Sequence, residues 1–395
     1  MPIHTPASRT LILLDVDGVL VHPVGYKAAL RATMDRFAAH MGQPSLGVTD
    51  DVIAVFEACG LTNEWDSGAM CASALLLAAL DTRPDLRRPT LDDTLAAIHA
   101  AGLTVHPPDF AAAARDLAQY DGDGTAPSTH YLALLADRTD SANLPLVSAL
   151  LDDVYDVLNT LTTRIFQTHT LGSERFAATY GAPAPFESES YLTTYDTRLL
   201  SEQNRARLAA WRAAPDGGVA IFTARPSLPP ADLPDDGYST TGYAPEGELA
   251  AELIDLAGHV PLIGQGRVAW LAQQNGRVSV EYVKPSPVQA LAAIGAAASG
   301  TETDALLAAA DLYERDIVSG PLAALDGPVR VVVLEDSTGG IRATQRATEL
   351  LVSAGLDVTF DAIGVSPHAD KRAALATVAG HVVDDVNAAL ALIWD

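Results

Sequence analysis

LILLDVDGVL, residues 11–20, places Asp15 and Asp17 two positions apart directly behind a short apolar run. The run is β-compatible and ends at polar residues, so residues 10–16 are expected to form a buried strand. Two carboxylates at the end of such a strand repel each other unless a cation compensates them. The rest of the chain has to supply that cation or a place to hold one.

After this strand the period changes. YKAALRATMDRFAAHMG (26–42) repeats apolar positions at three-to-four spacing and stops at a glycine. Similar helical segments lie near 50–60, 68–80, 91–101, 109–119, 145–163 and 197–213, with almost no strand signal between them. Strand-like runs return at 218–223 (GVAIFT), 277–283 (RVSVEYV), 329–336 (VRVVVLED), 357–365 (DVTFDAIGV) and 381–385 (HVVDD). Helical segments at 286–298, 339–354, 370–379 and 385–393 separate them. Strand–helix alternation implies a parallel sheet with helices on both faces. The expected architecture is α/β: a doubly wound parallel sheet built from residues 1–22 and 215–395, with a mainly helical domain, 23–214, inserted after the first strand. The Pro-, Gly- and Asp-rich segment 225–247 is expected to be a loop.

With 395 residues, 48% hydrophobic and 19% charged, the chain is globular and long enough for two domains. Its net charge of −25 argues against a nucleic-acid partner, whose phosphates need a basic surface. An anionic substrate would have to be met locally, by a metal ion, a lysine or backbone N–H groups. Cys59 and Cys71 alone can build neither a disulfide framework nor a zinc site, so a reducing, cytoplasmic setting is expected. MPIHTPASRTLILLD does not read as a signal peptide, and ALLLAAL (74–80) is too short to span a bilayer, so no membrane partner is expected. Nothing in the pattern speaks to oligomeric state.

In an open parallel sheet, ligands sit beyond the carboxyl ends of the strands. Polar residues gather at those ends here. Asp15 and Asp17 follow the first run, Thr223 ends GVAIFT, Lys284 follows VEYV, and Glu335 and Asp336 follow VVVL. These residues resemble the four motifs of the haloacid dehalogenase-like (HAD) superfamily. DVDGVL (15–20) is similar to the first, IFTAR (221–225) to the second, Lys284 in KPSP to the third, and LEDSTGG (334–340) to the acidic fourth. The resemblance covers the inferred core, about half the chain, and the inserted helices match the helical C1 cap of subfamily I, although the insertion is large for one.

A phosphate and several carboxylates share a dry cleft only if cations compensate them, and Mg²⁺ is a hard ion suited to oxygen ligands. The resemblance implies a HAD-like Rossmannoid core and a Mg²⁺-dependent phosphatase acting on a small phosphorylated metabolite. It implies that Asp15 and Asp336 ligate the ion through carboxylates and Asp17 through its main-chain carbonyl, with Glu335 ranked behind them. Asp15 would attack phosphorus to give an aspartyl-phosphate, and Asp17 would serve as general acid and then base. Thr223 would donate to a phosphate oxygen and Lys284 would neutralise charge, with the N–H groups of Val16, Asp17 and Ala224 completing a cradle. Ser337 and Gly340 fit turn geometry better than chemistry. Haloacid dehalogenases lack an acid at the position of Asp17, and transporting ATPases have Lys-Thr-Gly where this chain has Val-Asp-Gly. A phosphomutase, or a non-catalytic HAD-fold binding or regulatory module, are the alternatives.

For the substrate, the inserted domain offers Asn63 and Trp65 in ACGLTNEWDSG (58–68), which read equally as a helix-linking turn anchored by Trp65. Arg225 is a further candidate to meet the leaving group, whereas His22, Lys27 and Arg31 read as surface residues. GQGRVA (264–269) matches a dinucleotide fingerprint but lacks a good strand before it. DGDGTAPSTHYL (121–132) starts like a calcium loop without its glycine or final acid, and reads as a turn. His169, His259, His368 and His381 show no metal-binding spacing.

Overall fold

The apolar runs at 11–14, 218–222 and 329–334 become the centre of one sheet. The computed structural model describes residues 9–118, 125–233 and 242–394. Its strands are β1 (Arg9–Leu14), β2 (Val21–His22), β3 (Thr197–Arg198), β4 (Gly217–Phe222), β5 (Leu262–Ile263), β6 (Val329–Glu335), β7 (Val358–Val365) and β8 (His381–Val383). Six of them form a parallel sheet in the order β5-β4-β1-β6-β7-β8. The chain runs from β1 to β4 and β5 on one side, then returns to β6 on the other. Strand order thus reverses about β1, and a crevice opens at its carboxyl end.

Strand side chains alternate between two cores. Leu11, Leu13, Ala220, Phe222, Val331 and Val333 pack on one face, against the helices Pro287–Ser299, Thr303–Arg315 and Thr338–Ser353. Ile12, Leu14, Val219, Ile221, Val332 and Leu334 pack on the other, with Leu208, Ala250, Val386 and Leu390 from the helices Glu202–Ala213, Glu246–Leu253 and Val386–Trp394. Burial on both faces explains why these strands read as unbroken apolar runs. The expected doubly wound α/β sheet is the fold observed.

The described residues fall into two compact units, 1–23 with 196–395, and 24–195. The first holds the sheet. It takes in residues 196–214 because Leu208 is buried in its core and Trp211 Nε1 donates to Thr10 O at 3.3 Å. The two short strands β2 and β3 pair antiparallel where the chain leaves and re-enters this unit. The second unit is helical, from Gly25–His40 to Tyr191–Tyr195. The segment expected as one helix over 145–163 is two, Leu144–Leu151 and Leu161–Leu171. Between them Asp156 Oδ1 accepts the N–H groups of Leu158 and Asn159, both at 3.2 Å, and this local turn outcompetes the helix.

Three further expectations need correction. RVSVEYV (277–283) is not a strand: Ser279–Glu281 form a 3₁₀ turn, Val278 and Val280 are more than half exposed, and only Tyr282 is buried. Its alternation marks one inward ring rather than a sheet face. The strand at that edge is instead β5, two residues long, and the proline before it is harmless because Pro261 contributes only its carbonyl, to Ile221 N–H at 2.9 Å. GQGRVA therefore does follow a strand, yet the donors opening its helix, Gln265 N–H and Gly266 N–H, are taken by Arg225 O and Ser227 Oγ, each at 3.0 Å. Pro127–Ala136 is a helix, so the end of DGDGTAPSTHYL is helical rather than a turn; residues 121–124 lie outside the described residues, as do 234–241 of the 225–247 segment. No described helix is long and apolar enough to cross a membrane.

Candidate active site

Three strand ends and one loop converge. β1 hands over to Asp15, whose N–H donates to Leu334 O of β6 at 3.0 Å, so the first and fourth motifs are fixed side by side. β6 ends in Glu335, fully buried, and Asp336, partly buried. Asp15, Glu335 and Asp336 each present a carboxylate oxygen within 4.8 Å of the others. Gly18 makes this approach possible. It holds φ at +76°, and a Cβ there would lie 2.5 Å from Asp336 Oδ2. Gly340 plays the same part for Glu335, since a Cβ would collide with its carboxylate. Ser337 both donates to Glu335 Oε2 at 2.8 Å and caps the helix Thr338–Ser353 by accepting Gly340 N–H.

Lys284 does not come from a strand end, as the sequence had suggested, but from the loop after the 3₁₀ turn. Its ammonium nevertheless reaches the same point. Nζ donates to Asp15 Oδ1 at 2.9 Å, Glu335 Oε1 at 2.5 Å and Phe222 O at 2.8 Å, and lies 3.9 Å from the centre of the Phe222 ring. Burial pulls the Lys284 pKa down, but the pairs with Asp15 and Glu335 outweigh it and hold the ammonium above the ordinary lysine value. Burial, and then the charge of Glu335, push Asp15 well above the usual carboxylate range, with Lys284 offsetting part of the rise. Asp336 is likewise raised by burial, against the pull of Lys371.

Thr223 directly follows β4 and is buried; its Oγ1 accepts Arg225 N–H at 3.1 Å, leaving the hydroxyl proton to be donated elsewhere. The N–H groups of Val16, Asp17 and Ala224 have no acceptor among the described residues, which suits the expected cradle. Arg225 is buried and turned inward. Its Nε and Nη2 bind Asp17 Oδ1 at 3.0 and 2.5 Å, and Nη2 also binds the buried Asp196 at 2.9 Å. In this arrangement Arg225 orients Asp17.

The sequence reading missed three participants. Lys371 donates to Asp336 Oδ2 at 2.5 Å, Asp196 anchors Arg225, and Gln289 bonds the backbone of both Lys284 and Thr223. In this cluster five carboxylates (Asp15, Asp17, Asp196, Glu335, Asp336) face three cations (Lys284, Arg225, Lys371). Among the described residues, acids outnumber cations in this cluster.

Asn63, Trp65, Lys27 and Arg31 lie in the helical unit. Asn63 caps the helix Glu64–Thr82 by accepting Trp65 N–H at 2.9 Å, and Trp65 is buried with its ring 5.5 Å from that of Tyr155. Both side chains thus do the anchoring work of a helix-linking turn. Lys27 and Arg31 pair with Glu57 and Asp50 at the surface, and His22 is exposed in β2.

No protein-family model and no curated protein matches the chain. Among solved structures, it is similar over 97% of both chains to an X-ray structure of a Northeast Structural Genomics Consortium target, at 16% identity and a TM-score of 0.62. A phosphatase from Thermococcus thioreducens matches 90% of this chain and 92% of its own at 15% identity and a TM-score of 0.39. A HAD-superfamily hydrolase, subfamily IA, variant 1, from Geobacter sulfurreducens matches 98% and 97% at 12% identity and a TM-score of 0.35. At 16% identity the first of these likenesses is one of fold. The sheet is doubly wound as expected, and residues of the four motifs gather beyond β1.

Proposed function

We propose that the α/β unit is a Mg²⁺-dependent phosphatase that hydrolyses a small phosphorylated metabolite through an aspartyl-phosphate on Asp15. One observation carries the reading: Asp15, at the end of the central strand, has Lys284 Nζ on one oxygen and a carboxylate oxygen of Asp336 within 4.8 Å. The donor set fits a hard divalent ion, being all carboxylate oxygen and largely buried. Asp15 and Asp336 would hold it by side chains and Asp17 by its main-chain carbonyl, while Glu335, already engaged by Lys284 and Ser337, stands behind them. When bound, the ion would draw charge from the phosphoryl oxygens and from Asp15, easing the approach of two anions.

The chain's own groups do the rest. Asp15 Oδ attacks phosphorus in line; the new O–P bond forms as the bond to the leaving alkoxide breaks, and Asp17 gives that alkoxide its proton. Water then attacks the aspartyl-phosphate, Asp17 takes its proton, and the bond between Asp15 and phosphorus breaks to release phosphate. Thr223 Oγ1 and the N–H groups of Val16, Asp17 and Ala224 hold the phosphoryl oxygens, and Lys284 carries the countercharge. The test is phosphate release across a panel of phosphomonoesters with Mg²⁺, with Asp15→Asn and Asp17→Asn beside the wild type. Release by the wild type and none by Asp15→Asn is the expected result. No release from any ester would remove the phosphatase reading, and isomerised ester without free phosphate would point to a mutase.

A further inference from the structure

Lys284 poses a mechanical problem. It has to hold its ammonium on Asp15, Glu335 and Phe222 O at once, yet it stands on a loop between the 3₁₀ turn Ser279–Glu281 and the helix Pro287–Ser299. A strand would fix such a residue through its ladder; a loop needs another device. We infer that Gln289 is that device, a positioning residue that sets the reach of Lys284 toward Asp15. The inference rests on the phosphatase reading of this site for its catalytic consequence, though not for its geometry.

Gln289 is fully buried on the first turn of an apolar helix, where a polar side chain is costly unless its bonds are made. Its amide makes three. Oε1 accepts Lys284 N–H at 3.2 Å, and Nε2 donates to Thr223 O at 2.8 Å and to Ile263 O at 3.0 Å. The two carbonyls mark the ends of β4 and β5, so one side chain ties the main chain of Lys284 to the strand end that carries Thr223. Gln289 N–H also donates to Tyr282 O at 3.2 Å. Tyr282 is itself buried, with its hydroxyl on Glu314 at 2.8 Å, and so the segment carrying Lys284 is held at both ends. No other side chain bonds the Lys284 main chain among the described residues. Gln289 touches no carboxylate, and its contacts with the site are to main chain only, the Lys284 N–H and the Thr223 carbonyl; it bears on Asp15 through Lys284.

Two variants test this. Gln289→Met keeps the volume and loses all three bonds. Gln289→Glu keeps an acceptor for Lys284 N–H and sets a carboxylate against two carbonyls. In Gln289→Met, kcat for p-nitrophenyl phosphate with Mg²⁺ is expected to fall about ten- to hundredfold, the cost of a misplaced catalytic group. A crystal structure of the variant is expected to show Lys284 Nζ away from Asp15 or Glu335, with a smaller shift and a smaller kcat loss in Gln289→Glu. A merely structural role would lower the melting temperature and leave both kcat per folded molecule and the Lys284 pairing intact; that result overturns the inference. If Gln289→Met does not fold, Gln289→Glu carries the test, and wild-type kcat with Lys284 in place overturns it. If the wild type turns over no phosphomonoester while the variant still displaces Lys284, the positioning role stands and the phosphatase reading falls.

Discussion

Replacing Gly18 with alanine separates two costs that the site normally hides. The first is backbone strain. At φ of +76° an L-residue is disfavoured, by about 1–2 kcal/mol, which for a unit of this size lowers the melting temperature by about 2–8 °C. The second is steric. The new Cβ would sit 2.5 Å from Asp336 Oδ2 and 2.9 Å from its Cγ. An ordinary contact is near 3.4 Å or beyond, so the carboxylate has to retreat by about 1 Å, and as the end of a side chain it does so at little cost to stability. A metal ligand tolerates only about 0.2 Å. Mg²⁺ affinity should therefore fall about ten- to hundredfold, far more than the stability loss alone would suggest. Gly258→Ala is the control: its φ is +70° and nothing lies within 4 Å of the new Cβ, so it carries the backbone cost by itself. Differential scanning fluorimetry and isothermal titration with Mg²⁺ read the two quantities. Equal Mg²⁺ affinity in Gly18→Ala and wild type, or an equal loss in Gly258→Ala, would refute the reasoning.

Lys371→Met removes a cation that competes for Asp336, and titration should show Mg²⁺ binding about two- to fivefold tighter; weaker binding would mean that Lys371 supports the site. His169 is buried between Phe186 and Tyr191, and burial, then Arg36, pull its pKa down to about 4. The folded chain binds that proton less readily than the unfolded one, so this stability is complete above about pH 6.5 and is lost as the pH falls toward about 4. With solvent screening allowed for, the loss is about 1–2 kcal/mol, and urea titrations at pH 7 and pH 5 should show it reduced in His169→Gln. Asp66 is buried, accepting Ser128 N–H at 2.9 Å; burial raises its pKa and these bonds recover only part of the rise. A raised carboxylate costs stability once it ionises. Wild type should therefore lose stability relative to Asp66→Asn as the pH climbs above the ordinary aspartate range, and parallel pH curves for the two would contradict this.

How much of this could be seen in the residues alone depended on how local the signal was. β1, β4 and β6 announced themselves because strands buried on both faces are continuous apolar runs, and their terminal acids and threonine follow directly. RVSVEYV misled because alternation within seven residues also fits a loop with one inward tyrosine. β5 was overlooked because two residues after a proline carry too little pattern. The ordered motifs located Asp15, Thr223, Lys284 and Asp336, since each is one residue at a fixed place. The supports were hidden because they are pairings in space: Arg225 meets Asp17 across 208 positions, and Lys371 meets Asp336 across 35. For Gln289 the only trace was a lone amide inside PVQALAAI, which reads equally as an exposed helical position. Asn63 and Trp65 combine polarity and aromaticity as a binding residue does, and that chemistry is shared by a capped and anchored helix start.

The most direct measurement is mass spectrometry of the protein quenched in acid during turnover of a phosphomonoester with Mg²⁺. A phosphoryl group on Asp15, absent from Asp15→Asn along with all phosphate release, is the result this account predicts. Turnover by a wild type that carries no such group, matched by an active Asp15→Asn, would contradict it.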